Sequence, residues 1–292
     1  MATKKVEQVE APPPAHYVGD GFRVHNFIPN GIRKDMRRMD PFIMLDYNSK
    51  FVFPPTDTPK GVGVHPHRGF ETVTIAYKGK VQHHDSSGGG GVIGEGDVQW
   101  MTAASGVLHK EFHEEAFSKT GGEFQMVQLW VNLPAKDKMS KPKYQDIANA
   151  NISKYQLENE QGIIEVISGD YKGINGAAST FTPVHLLNAK IKKAGKASFS
   201  FPAHYNTALV VIEGSIVVND AAAAPTDYLV LMSNEGEDFS IEATEEAVVL
   251  VLSGEPINEP IASRGPFVMN TQEEIMEAIN DYNLGKFGHL DD

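Results

Sequence analysis

This sequence predicts an all-β protein of two antiparallel β-barrels with a short C-terminal helix, and three observations lead there. Short segments rich in β-branched and aromatic residues, bounded by Gly, Pro, Asn or Asp, recur along most of the chain. The length of 292 residues exceeds the usual span of one compact domain, so two domains of roughly 140 residues are expected. The halves also echo one another. Tyr77-Lys78-Gly79-Lys80 ends one strand and starts the next, as Ile212-Glu213-Gly214-Ser215 does later, and Gly96-Asp97-Val98 resembles Thr226-Asp227-Tyr228. Repetition at that distance points to a duplicated barrel rather than a solenoid of small units.

The elements follow in order. MATKKVEQVEAPPPAH carries two lysines with no apolar stretch behind them and reads as a loose arm, not a signal peptide. ETVTIAYKG, GDVQWMTA and EFQMVQLWVNL supply strands of the first half. Gly88 to Gly91 is a hairpin tip, because a phosphate cradle would need a following Lys-Ser/Thr and a helix. PAKDKMSKPKYQDI, Pro134 to Ile147, is charged, holds two prolines and follows an apolar strand, so it marks a boundary or long loop. The division falls near residue 145, giving domains 1–145 and 146–292. HLLNAKI, KASFSF, TALVVIEGSIVV, DYLVLM and EEAVVLVLSG are strands of the second half. TQEEIMEAINDY is the clearest helix: Thr271 and Glu274 fit a capping box, and Ile275, Ala278, Ile279 and Tyr282 make an apolar stripe.

Composition narrows the function. Hydrophobic content of 41% with 22% charged residues is ordinary for a soluble protein, and no apolar run suggests a membrane span, so the cytoplasm is the expected address. The absence of cysteine removes disulfides, thiolate zinc sites and cysteine nucleophiles together, and leaves His, Asp and Glu as metal ligands. A net charge of −12 without a dense basic cluster argues against direct nucleic-acid binding and favours a small-molecule or protein partner.

The chemistry concentrates in two stretches. His65 and His67 stand two residues apart, and on an extended chain such residues share a face. His109 and Glu111 repeat the spacing beyond a glycine-rich turn. One pair alone is more often incidental than ligating, whereas two pairs can close a site. Three imidazoles and a carboxylate suit iron, manganese, cobalt, nickel or copper with coordination positions left open. The bland reading is surface histidines with satisfied hydrogen bonds. Glu71 is a rival carboxylate, since strand parity puts it on the face of His65 and His67, continued by Val73, Ile75 and Tyr77.

Other polar residues read as bystanders. His83-His84-Asp85 lies next to the glycine run, with adjacent histidines on opposite faces and solvent near. His113, Glu114 and Glu115 read as a solvated loop and the surroundings of Trp100 and Trp130 as core; Arg68 either orients a ligand or substrate or, more simply, is an exposed arginine before Gly69. In the second half His204 stands roughly where the first motif would recur, but Tyr205 and Asn206 follow it and no HxH or HxE follows Asp227. The C-terminal barrel is therefore expected to be metal-free.

HPHRGFETVT, GDVQWMTAASGVLHKE and QLWVNLPAKDKMSKPKYQDI resemble the diagnostic stretches of the pirin family, within the cupin superfamily. The likeness covers most of residues 20 to 147, GPFVMNTQEEI is also characteristic, and the rest is weaker but collinear. It implies two stacked cupin barrels, a bicupin, with one mononuclear Fe2+ in the N-terminal barrel held by His65, His67, His109 and Glu111. Many cupins take the carboxylate from the first motif, here Glu71; the pirin-like pair favours Glu111. The resemblance also implies quercetin 2,3-dioxygenation, with a small aromatic substrate, O2, no organic cofactor and Glu111 as the catalytic proton acceptor. As an alternative it implies a transcriptional co-regulator in which the metal's redox state tunes a protein interface.

Overall fold

The computed structural model describes residues 2–32 and 35–291. Its contacts form two units, neither continuous in sequence: Pro14–Asn26, Phe42–Asn149 and Ile257–Asp292 make one, and Met1–Pro13, Phe27–Pro41 and Ala150–Pro256 the other. Residues 257–292, which follow the expected division near residue 145, thus group with 42–149, while 1–13 and 27–41 group with 150–256.

The unit holding the histidine motifs carries two antiparallel sheets. Gly61–His67, Val107–His113, Val81–Asp85 and Gly90–Ile93 form a four-stranded sheet in that order. In the seven-stranded sheet, Val98–Thr102, Phe70–Lys78, Gly122–Asn132 and Phe42–Phe53 are consecutive neighbours. The other unit repeats the plan. Lys196–Ser200, Asp238–Ala243, Ser215–Val218 and Ala222–Pro225 form its four-stranded sheet, and Leu229–Met232, Asn206–Glu213, Ala247–Gly254 and Val184–Ile191 are neighbours in its seven-stranded one. The matching strand order makes the echo at Gly79 and Gly214 a structural equivalence: each glycine turns a long strand of the larger sheet into a short strand of the smaller one. The two sheets of each unit are hydrogen-bonded separately, which is a jelly roll rather than a continuous barrel.

Alternation fills the cores. In the second unit Leu187, Leu209, Val211, Val230, Phe239, Ile241, Val249 and Val251 form one buried cluster with a two-residue period on each strand. The C-terminal helix Gln272–Asn283 starts at a capping box made by Thr271 and Glu274. Its Ile275 and Ala278 pack with Ala262, Phe267, Met269 and Phe287, and Leu108 from the strand of His109 lies against that cluster. Tyr282, by contrast, stays exposed. No helix among the described residues is long and apolar enough to cross a membrane.

The segment 134–147 is structured. After the short 3-10 helix Ala135–Asp137, Lys143–Ile147 pairs with Val98–Thr102 as an added antiparallel strand. Lys138 is buried because its ammonium donates to the carbonyls of Gly69 and Val268 and to Asn132 Oδ1, which offsets its desolvation.

Candidate metal centre

Strand pairing brings the two motifs together. Gly61–His67 and Val107–His113 run antiparallel with His109 opposite His65 and Val107 opposite His67. Between His109 and Glu111 the register slips, Glu111 lying opposite Val62, because Gly61–His67 carries one extra residue there as a β-bulge. Ring centroids are 4.1 Å apart for His65 and His109, 4.6 Å for His67 and His109, and 4.9 Å for His65 and His67. Each of the three offers a nitrogen within 4.8 Å of the other two.

All three imidazoles are engaged through Nδ1. His65 Nδ1 lies 2.8 Å from Gly63 O, His67 Nδ1 3.4 Å from Pro266 O, and His109 Nδ1 3.4 Å from His83 Nδ1. That leaves Nε2 for a common ligand, and His109 Nε2 is buried with no partner among the described residues. An orphaned buried nitrogen is costly, and a divalent cation satisfies it. Burial, reinforced by neighbouring imidazoles, pushes His67 and His109 well below the usual histidine range; for His67 the Pro266 carbonyl pulls weakly the other way. Both rings are therefore neutral, the form that binds metal.

Glu111 is buried on the same strand as His109, its Oε1 accepting from the Thr74 hydroxyl at 3.3 Å and its Oε2 from Gln128 Nε2 at 2.8 Å. A second group, His83, His109 and Glu111, also brings its ligand-capable atoms within 4.8 Å of one another. Nitrogen donors, a carboxylate and an orphaned Nε2 fit a single metal ion.

Several residues expected to be bystanders are buried or engaged. His83 is buried on Val81–Asp85, opposite Glu111, while His84 is exposed. The two adjacent histidines lie on opposite faces of the strand, and the pairing with Val107–His113 turns His83 inward. His113 is not in a solvated loop: its Nε2 meets Gly21 O at 2.8 Å and its ring packs edge-on to Phe22 and Phe53, with Phe117 and Phe124 close by. Glu114 caps the helix Glu115–Thr120 by accepting from Phe117 N. Arg68 is buried; it pairs with Asp281 at 2.9 Å, donates to Ser105 O at 2.7 Å and lies 4.7 Å above the Phe287 ring. Trp100 is core, but Trp130 is half-buried, stacked on Phe70 at 4.2 Å and edge-on to His67 at 5.3 Å, so it walls the site.

Glu71 belongs to the opposite face of its strand. Gly69, with φ of 91°, turns the chain between Gly61–His67 and Phe70–Lys78, so parity counted from His67 does not carry across it. Thr74 therefore faces Glu111, and Glu71 instead accepts from the Thr102 hydroxyl at 2.7 Å. Burial pushes the Glu71 carboxyl up to about 7 despite the hydrogen bond from Thr102 that pulls it down. Asp85 goes the other way: burial alone would raise it, but the His83 ring 3.5 Å away and hydrogen bonds from the Ser87 hydroxyl and the Gly89 and Ser87 amides hold it at about 2.

The Pirin family model matches residues 21–131 and the model of the Pirin C-terminal cupin domain matches residues 186–288. A solved quercetin 2,3-dioxygenase from Acinetobacter baumannii superposes with a TM-score of 0.92 at 49% identity, covering 98% of this chain and 99% of that one. A relative from Pseudomonas aeruginosa is 45% identical over 285 residues, 97% of this chain and 98% of its own. A pirin-like protein of Solanum lycopersicum is 37% identical over 273 residues, 92% of this chain and 88% of its own.

Proposed function

This chain belongs to the pirin family, and on that footing we propose that it is a metal-dependent dioxygenase acting on a flavonol-like substrate such as quercetin, with His65, His67, His109 and Glu111 holding one divalent metal, iron first among the candidates. The observation that supports the reading is the convergence of His65, His67 and His109 on two paired strands, with His109 shared by a second group that contains Glu111, in a chain so similar to a solved quercetin 2,3-dioxygenase. Iron, manganese, cobalt, nickel and copper all accept such a donor set. Bound iron would supply Lewis acidity that favours an enolate over an enol, and the redox chemistry that reaction with O2 requires.

The remaining work falls to the chain's own residues. Hydrogen bonds from Thr74 and Gln128 aim the Glu111 carboxylate while leaving it lone pairs, and Glu111 takes the proton from the 3-hydroxyl of the flavonol. The Phe70–Trp130 stack beside His67 offers a flat apolar wall for an aromatic ring. The test is decay of the flavonol's long-wavelength absorbance in air by metal-loaded protein. Glu111→Gln, compared at equal metal loading, should slow that decay by about 10²-fold or more, because an amide cannot take the proton. Quercetin left unchanged by the parent, or a Glu111→Gln variant as fast as the parent, overturns the proposal.

A further inference from the structure

His109 differs from its two neighbours in what its Nδ1 meets. His65 and His67 face main-chain carbonyls, Gly63 O and Pro266 O, which only accept and so place the proton on Nδ1. His109 faces another imidazole nitrogen, His83 Nδ1, at 3.4 Å. If His109 is to present Nε2 to a metal, its Nδ1 carries the proton and His83 Nδ1 must be the acceptor. His83 then holds its own proton on Nε2, and that atom stands 3.5 Å from Asp85 Oδ2. Neither His83 Nε2 nor Asp85 Oδ2 has another partner among the described residues, and both are buried.

We propose that His83 and Asp85 are positioning residues for His109: Asp85 Oδ2 accepts from His83 Nε2–H, and His83 Nδ1 accepts from His109 Nδ1–H, fixing the tautomer that offers Nε2 to the metal. Register supports the chain of contacts, since His109 lies opposite Asp85 and Glu111 opposite His83 on adjacent strands. Asp85 is itself held by its other oxygen, Oδ1, which accepts from Ser87 N at 2.7 Å, the Ser87 hydroxyl at 2.6 Å and Gly89 N at 3.0 Å. The glycine run acquires a purpose here: a Cβ on Gly89 would come within 2.3 Å of Asp85 Oδ2. Tyr144, from the strand Lys143–Ile147, stacks on His83 at 5.4 Å and 15° and limits rotation of its ring. His83 Nδ1 is 4.0 Å from Glu111 Oε1, too far for a hydrogen bond, so His109 is its nearer partner. Partners of this kind fix ring orientation and raise the ligand's basicity.

The inference rests on His109 being a metal ligand and is independent of the substrate. Its test is Co2+ affinity of the full chain, with hyperfine-shifted N–H resonances of the Co2+ protein read by NMR. His109→Ala first checks the premise: unchanged Co2+ binding removes it, whatever the flavonol assay shows. His83→Phe, which keeps a flat ring and removes the acceptor, should weaken Co2+ binding by about 10- to 100-fold and expose the His109 Nδ1–H to rapid solvent exchange. His83→Gln, whose carbonyl can accept, should recover part of the affinity, and Asp85→Asn should shift the same resonance with a smaller loss. Native affinity and an unmoved N–H resonance in both His83→Phe and Asp85→Asn overturn the proposal. Complete loss of Co2+ in His83→Phe, with no recovery in His83→Gln and no effect of Asp85→Asn, also overturns it, because it makes His83 a ligand.

Discussion

Glu71→Gln separates the two candidate carboxylates, Glu71 and Glu111, and carries a pH signature of its own. In the folded chain the Glu71 carboxyl titrates near 7 because it is buried, whereas an unfolded glutamate titrates near 4.5. The folded state thus binds the proton more tightly than the unfolded state does. The stability this group contributes is full below about pH 4.5 and is lost as pH rises through about 7. A shift of about 2.5 units corresponds to about 3 kcal/mol, of which about 2.5 kcal/mol is lost between pH 5 and pH 8. Glutamine keeps an acceptor for the Thr102 hydroxyl, now at 2.7 Å from Glu71 Oε1, and has no charge to desolvate. The variant should therefore match the parent near pH 5 and exceed it by about 2 to 3 kcal/mol near pH 8. Urea unfolding of the metal-free proteins at the two pH values measures this, and metal content should be the same in both. An equal pH dependence in parent and variant would refute the buried-carboxyl argument, and loss of metal in Glu71→Gln would return Glu71 to the ligand set.

Two further outcomes follow from the site. His109→Ala should lose most bound metal, since its orphaned Nε2 is the proposed donor, while His84→Ala, altering an exposed side chain on the outer face, should keep it; elemental analysis after reconstitution decides, and equal loss would sink the assignment. Gly69→Ala should destabilise the fold by about 2 kcal/mol or more, because residue 69 sits at φ of 91° and a Cβ there would lie 1.9 Å from Val268 O. Thermal melting checks it, and an unchanged Tm would mean that the turn relaxes freely.

Local pattern made much of this protein legible. Strands such as Phe70–Lys78 and Ala247–Gly254 follow from β-branched runs between turn residues, the C-terminal helix from Thr271 and Glu274, and the pairs His65/His67 and His109/Glu111 from a two-residue period. Each depends only on neighbours within a few residues. The failures all cross a break in that period or a long stretch of chain. Glu71 was placed on the wrong face because Gly69 interrupts the strand across which parity was counted. His83 entered the site through its pairing with Val107–His113. Arg68 is buried by an aspartate 213 residues away, and His67 meets a carbonyl 199 residues away, so no window of sequence contained either partner. The sequence by itself determined which residue types stand at which spacing, and hence the strands, the capped helix and the four candidate ligands. Only the tertiary structure decided which side chain of an alternating pair faces inward and which distant segment satisfies it, because burial and hydrogen-bond satisfaction are properties of the packed chain.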